Sequence, residues 1–183
     1  AYRALARTQA EQGKIDQAIA SLKSALEWDP NNLLALSQLL QLEMAREGGD
    51  AKAVAERILA VESTSYYQVR AIPELVPTET IAARLYLAEK VQDSARMELL
   101  KGAIDICNRY LTTTAPKILD FAKANMDGGF GGQSLASAQA LIEQAKEALG
   151  LYEAAGGKEG ADELKKNIEA FQQAAQELKS SSE

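Results

Sequence analysis

Apolar residues recur every three or four positions along most of the chain, which is the spacing of amphipathic helices. The first such stretch covers residues 1 to 12 and stops at Gly13, and the second runs from about Asp16 to Asp29-Pro30. Gly13 suits a helix end because it adopts positive φ without a steric penalty, and Pro30 cannot continue a helix. Two short antiparallel helices are therefore predicted for residues 1 to 32.

The same arrangement recurs after residue 32. A third helix is predicted to end at Gly48-Gly49, and its apolar positions are Leu36, Leu39, Leu40 and Met44. A fourth helix is predicted to return beside it through Ala53, Val54, Ile58, Ala60 and Val61. Ala18 and Ala25 match Ala53 and Ala60 at an offset of 35 residues. A period of this length predicts a repeat architecture.

Residues 1 to 32, "AYRALARTQAEQGKIDQAIASLKSALEWDPNN", resemble a tetratricopeptide repeat (TPR). The matching positions are Leu5-Ala6 as a packing pair, Gly13 at the turn, and Ala18, Leu22, Ala25 and Pro30 in or after the second helix. Gln9 departs from the usual tyrosine. Residues 33 to 64 resemble a more degenerate copy, with Arg57 at a normally apolar position. The resemblance implies an all-α fold of antiparallel helix pairs stacked as a right-handed superhelix, an α-α solenoid.

Beyond residue 64 the repeat pattern is interrupted. Residues 65 to 77 predict an ordered insertion that packs against the array or closes a groove, because Pro73 and Pro77 exclude a continuous helix. Residues 78 to 126 predict a degenerate third pair plus a short helix, and residues 134 to 183 predict a C-terminal helical pair that caps the array.

Residues 127 to 133, within "MDGGFGGQS", are predicted to form a glycine-rich loop. The segment lacks the Lys-Ser/Thr ending of a phosphate-binding loop, so a connector is the favoured interpretation. Anion binding at the helix start after Ser134 remains the alternative. Trp28, on the last turn before the joint between repeats, is predicted to seal that joint rather than contact a ligand.

The composition of the chain argues against several classes of partner and site. The net charge of -6 argues against a nucleic-acid partner, and the absence of histidine removes the usual zinc ligand sets. Cys107 is the only cysteine and is expected to be a small buried hydrophobe, so no catalytic residue, metal or cofactor is predicted. No direct membrane insertion is expected. Residue 1 already lies in a helical pattern, which suggests a segment of a longer protein and leaves its compartment open.

The first helix of each pair lines the concave groove in this architecture, and side chains not used for core contacts face a ligand. The groove residues predicted on this basis are Arg3, Arg7, Ala10, Leu34, Ser37, Gln38, Gln41, Met44, Ala82, Leu85 and Glu89. Arg3 and Arg7 are four residues apart and could together bind carboxylates, with a solvated helix face as the equal alternative. Family members that clamp a C-terminal carboxylate carry Lys and Asn at these positions, so that activity is not carried over.

The resemblance implies a non-catalytic binding module for a protein or peptide segment, or for a neighbouring domain of the parent chain, and leaves homo-oligomerisation open. An alternative keeps the fold and changes the role. The stretches "VESTSYYQVRAIPELVPTETIAARLYLA" and "YLTTTAPKILDFAKA" loosely resemble the repeat tails of bacterial O-antigen ligases and polymerases, in which catalysis belongs to the membrane part. A self-standing hydrolase or transferase is disfavoured because the sequence has no nucleophile motif.

Overall fold

The computed structural model of the chain describes residues 1–64, 76–125 and 130–180, except for the side chains of residues 63 and 64. Helices fill most of these ranges and no strand occurs within them, which confirms the predicted all-α class. The helices are α1 (Tyr2–Glu11), α2 (Ile15–Trp28), α3 (Leu33–Ala45), α4 (Ala51–Thr64), α5 (Glu79–Ala88), α6 (Asp93–Thr113), α7 (Ala115–Ala124), α8 (Phe130–Ala154) and α9 (Ala161–Ser180).

Successive helices stack as predicted. The α1–α2 pair turns at Gly13, whose φ of 74° is readily adopted by glycine. The α2–α3 joint ends at Asn32, whose side chain accepts a hydrogen bond from the Ala35 amide at 3.0 Å and so caps α3. Helix α3 packs on α2 and α4, and α5 packs on both α3 and α4. The first helices of the second and third pairs, α3 and α5, are therefore in contact, while α1 packs on α2.

Two hydrophobic cores meet at α5. The first is formed by α1 to α4 with Ala83 and Leu87 of α5, and the second by α6 to α9 with Ile81, Leu85 and Ala88 of α5. Because α5 contributes a buried face to each core, it joins the repeat pairs to the C-terminal helices.

The predicted offset of 35 residues is wrong for α4. Ala53 and Ala60 are exposed, whereas Ala55 and Ile58 are fully buried. The α3–α4 connection has five residues, 46–50, against three in the α1–α2 connection, 12–14, so α4 starts 36 residues after α2. At this spacing Ile58, rather than Arg57, takes the buried place that Leu22 has in α2.

Three other residues differ from expectation. Trp28 is 82% exposed and does not seal the joint, because it lies off the buried row formed by Ala18, Leu22 and Leu26. Leu5 of the predicted packing pair is 48% exposed, while Ala6 beside it is buried. Ala25 is only half-buried.

The glycine-rich loop prediction is wrong for residues 130–133, because α8 already begins at Phe130. Residues 127–129 lie outside the described residues, as do residues 65–75 of the predicted insertion. At the end of that insertion, Val76 packs against the second core and Pro77 is fully buried.

Candidate functional site

The exposed face of α3 carries no charge. Leu34 and Met44 are 46% and 51% exposed, Gln41 is exposed, and Ser37 and Gln38 are half-buried along the same side. Glu43 is the one ionisable residue of this helix, and it is only 2% exposed. The helix thus presents leucine, methionine and amide groups to solvent, which is unusual for an exposed face of an acidic chain.

Helix α1 borders this face with two arginines. Arg3 Nε donates a hydrogen bond to Gln38 Oε1 at 3.3 Å, so the guanidinium reaches across to α3. Arg7 Nε lies 3.7 Å from Glu11 Oε1, and both side chains are exposed. Exposed pairs of this kind are weak and screened by salt, so Glu11 competes little with another anion for Arg7.

A cleft of about 190 Å³ separates α1 from α3. Its floor is apolar, made of buried Ala6 and Leu22 and half-buried Ala10 and Leu42. Its rim is formed by Arg7, Gln38 and Gln41. The structure therefore brings four predicted groove residues to one cleft: Arg7, Ala10, Gln38 and Gln41.

Sequence reasoning missed Leu22 and Leu42. Both belong to apolar runs in which core and groove residues look alike. The spacing of Leu42, four residues after Gln38, was the available signal, because such residues share a helix face.

Helix α5, the first helix of the predicted third pair, contributes fewer groove residues than expected. Leu85 is buried in the second core, so its assignment to the groove is wrong. Ala82 is half-buried against the first core, and Glu89 is exposed just after the end of α5. Tyr86, which was not predicted, lies four residues after Ala82 and is half-buried, with Lys90 Nζ 5.1 Å from its ring centroid.

Four other depressions on the described residues contain none of the predicted groove residues. One of them, of about 630 Å³, is lined by Arg84 and Lys101, and each of these cations has an acidic partner. Arg84 Nη2 lies 2.6 Å from Glu62 Oε2, and Lys101 Nζ lies 2.5 Å from Asp105 Oδ1. The depression of about 490 Å³ between α8 and α9 has a mixed lining of glutamines, Glu143, Lys179 and a few apolar residues. Size alone therefore does not identify the site.

Reactive chemistry is not evident in the described ranges. Cys107 is buried, and desolvation raises the pKa of its thiol to about 12, so the thiolate nucleophile is disfavoured at neutral pH. The same ranges hold no group of three or more Asp, Glu or Cys side chains placed to bind a metal ion. None of the helices described there is long and apolar enough to cross a membrane.

Comparisons with known proteins give little further guidance. Neither a protein-family model nor a curated protein matches the chain. Two solved structures of MamA match, one at 19% identity and a TM-score of 0.41 over 98% of this chain and 90% of that chain. The other has 20% identity and a TM-score of 0.38, and the match covers 97% of this chain and 95% of that chain. The resemblance to O-antigen ligase and polymerase tails gains no support from these matches.

Proposed function

We propose that this chain is a non-catalytic protein-interaction module that holds a segment of a partner protein between α1 and α3. The observation that supports this most is the uncharged, partly apolar face of α3 beside the apolar floor of the cleft. Contact with an apolar partner would remove the exposed leucine and methionine side chains of this face from water, which stabilises the complex.

A macromolecular partner fits the dimensions better than a free small molecule does. Small-molecule sites are usually about 300–1,000 Å³ and enclose most of the ligand. The cleft of about 190 Å³ is smaller, and the exposed residues Leu34 and Met44 extend the surface along α3 beyond it. A protein segment can fill the cleft with one side chain and cover the helix face with its neighbours.

The partner can be another protein or a neighbouring domain of the same parent chain. In both cases the stacked pairs supply a rigid frame, because α3 is held between α2 and α4 and its groove residues stand on helices. The module would bind the partner segment without catalysing a reaction on it.

A peptide selection tests this function. The immobilised chain is used to select binders from a random library of amide-capped nine-residue peptides, and the affinity of the enriched pool is measured by fluorescence polarisation. Ala10→Leu fills the cleft and is expected to weaken binding at least tenfold. The matched control, Ala20→Leu, adds the same atoms at an exposed position of α2 and should leave binding unchanged.

Thermal unfolding of both variants separates loss of binding from loss of fold. The proposed function fails if neither the amide-capped library nor its free-acid counterpart yields binding peptides, or if the enriched pool binds the folded Ala10→Leu variant as tightly as the wild type.

A further inference from the structure

We infer that the bound segment carries a leucine- or phenylalanine-sized side chain with acidic residues close beside it. This inference rests on the proposed function and specifies the partner's chemistry: an internal acidic and apolar stretch of a protein chain.

The cleft sets the size of the apolar anchor. An apolar cavity of about 150 Å³ in a protein core binds benzene, so a cleft of similar size accommodates one aromatic ring or one branched aliphatic side chain. Ala6 and Ala10 keep the α1 side of the cleft open, and Leu22 and Leu42 provide the apolar contacts. A second large side chain would have to lie outside, along Leu34 or Met44.

The charges around the cleft select the residues beside the anchor. Although the whole chain carries a net charge of -6, Arg7 stands on the rim and Arg3 is hydrogen-bonded to the rim residue Gln38. Glu43 does not offset them at the surface, because it is buried and lies 2.6 Å from Arg46 Nη2. A partner with carboxylates beside its anchor would therefore meet local charges of opposite sign.

The two arginines are held differently, which favours two carboxylates over one. The hydrogen bond from Arg3 to Gln38 uses one of five guanidinium N–H donors and draws the group towards α3. Arg7 instead pairs with Glu11, farther along α1. Four residues of helix separate their Cα atoms by about 6 Å. Acidic side chains spread along an internal segment match this spacing better than a single terminal carboxylate.

The composition of the selected peptide pool tests the inference. The amide-capped library has no terminal carboxylate, so any acidic preference must come from side chains. We expect enrichment of Leu or Phe with Asp or Glu within two positions of it. Enrichment of neutral or basic neighbours in a pool that still depends on the cleft would overturn the inference and leave the proposed function standing.

A matched pair of charge variants gives the second readout. Arg7→Gln should weaken binding of the pool about fivefold or more, and 0.5 M NaCl should reduce wild-type affinity more than that of the variant. The control, Lys52→Gln, removes an exposed cation that also has an acidic partner four residues on, at 3.8 Å, and should change nothing.

Equal binding by wild type and Arg7→Gln contradicts the assigned role of the arginines. A free-acid version of the library serves as the last comparison. If it yields binders where the capped library yields none, the segment is a chain terminus rather than an internal stretch, and the inference is wrong.

Discussion

Single residues show where a departure from the repeat pattern has a structural role. An offset of 35 residues predicts an apolar residue at Arg57, but Ile58 takes that buried place and Arg57 is exposed, with its Nη2 donating a hydrogen bond to the Pro30 carbonyl at 2.7 Å. The side chain therefore ties α4 to the joint between the first two pairs. The sequence flags Arg57 as an anomaly, but only the fold brings it close to a residue 27 positions earlier.

Glu43 is the clearest residue-scale contributor to stability. Its carboxylate pairs with Arg46 at 2.6 Å and accepts the Asp50 amide at 3.1 Å, which anchors the α3–α4 connection. Glu43→Gln should lower the free energy of unfolding by about 1.5–3 kcal/mol, because a buried charge-assisted interaction is lost. Glu47→Gln, at an exposed position nearby, should change it little. Urea unfolding of both variants measures this, and equal stabilities would refute the assigned role.

Cys107 should be inert in the folded protein. The thiol is buried and its pKa is raised to about 12, so little thiolate forms even at pH 9. A colorimetric disulfide reagent at pH 8 should react slowly with the native chain and rapidly with one equivalent of thiol in denaturant. Because folding raises this pKa, the stability contributed by the neutral thiol is lost as the pH rises from about 9 towards 12. Complete reaction of the native chain within minutes would contradict the buried placement.

At the scale of elements, periodicity predicted most helices but not their exact relation to one another. The predicted helices over residues 1 to 61 are present because each has an apolar face, and the first three are followed by the strong breakers Gly13, Pro30 and Gly48-Gly49. The offset of α4 could not be derived, because it depends on the length of a five-residue connection, and glycine pairs fit many turn geometries. Glycine content also misled at α8, where Phe130 already lies in the helix.

The glycines predicted to form a loop lie in the first turn of α8, where one of them allows α8 to approach α7 closely. Gly131 lies so close to α7 that a Cβ atom there would be 2.6 Å from the Ala122 carbonyl oxygen. Gly131→Ala should therefore destabilise the α7–α8 contact by about 1–3 kcal/mol. At Gly132 a Cβ would meet no atom within 4 Å, so Gly132→Ala should stabilise the helix by about 0.5–1 kcal/mol. Thermal unfolding of both variants tests this: Gly131→Ala should lower the unfolding temperature and Gly132→Ala should raise it. An unchanged unfolding temperature for Gly131→Ala would mean that α7 and α8 are not in close contact.

For the whole molecule, the fold class was predictable and the site only in part. The sequence placed Arg7, Ala10, Gln38 and Gln41 on groove-facing helix positions, and these four residues line one cleft. It misplaced Leu85, because an apolar residue of α5 can face either of two cores and only long-range contacts decide which. The cleft consequently lies between α1 and α3, and the half-buried residues Ala82 and Tyr86, rather than Leu85, reach the surface of α5.

A partner segment is proposed to bind between α1 and α3. Two-dimensional NMR of the isotope-labelled chain, titrated with one peptide from the selected pool, tests it most directly. The largest amide shift changes should fall on Ala6, Arg7 and Ala10 of α1 and on Gln38 and Gln41 of α3, with little change in α8 and α9. Changes concentrated on α8 and α9, or spread evenly over the molecule, would contradict the account.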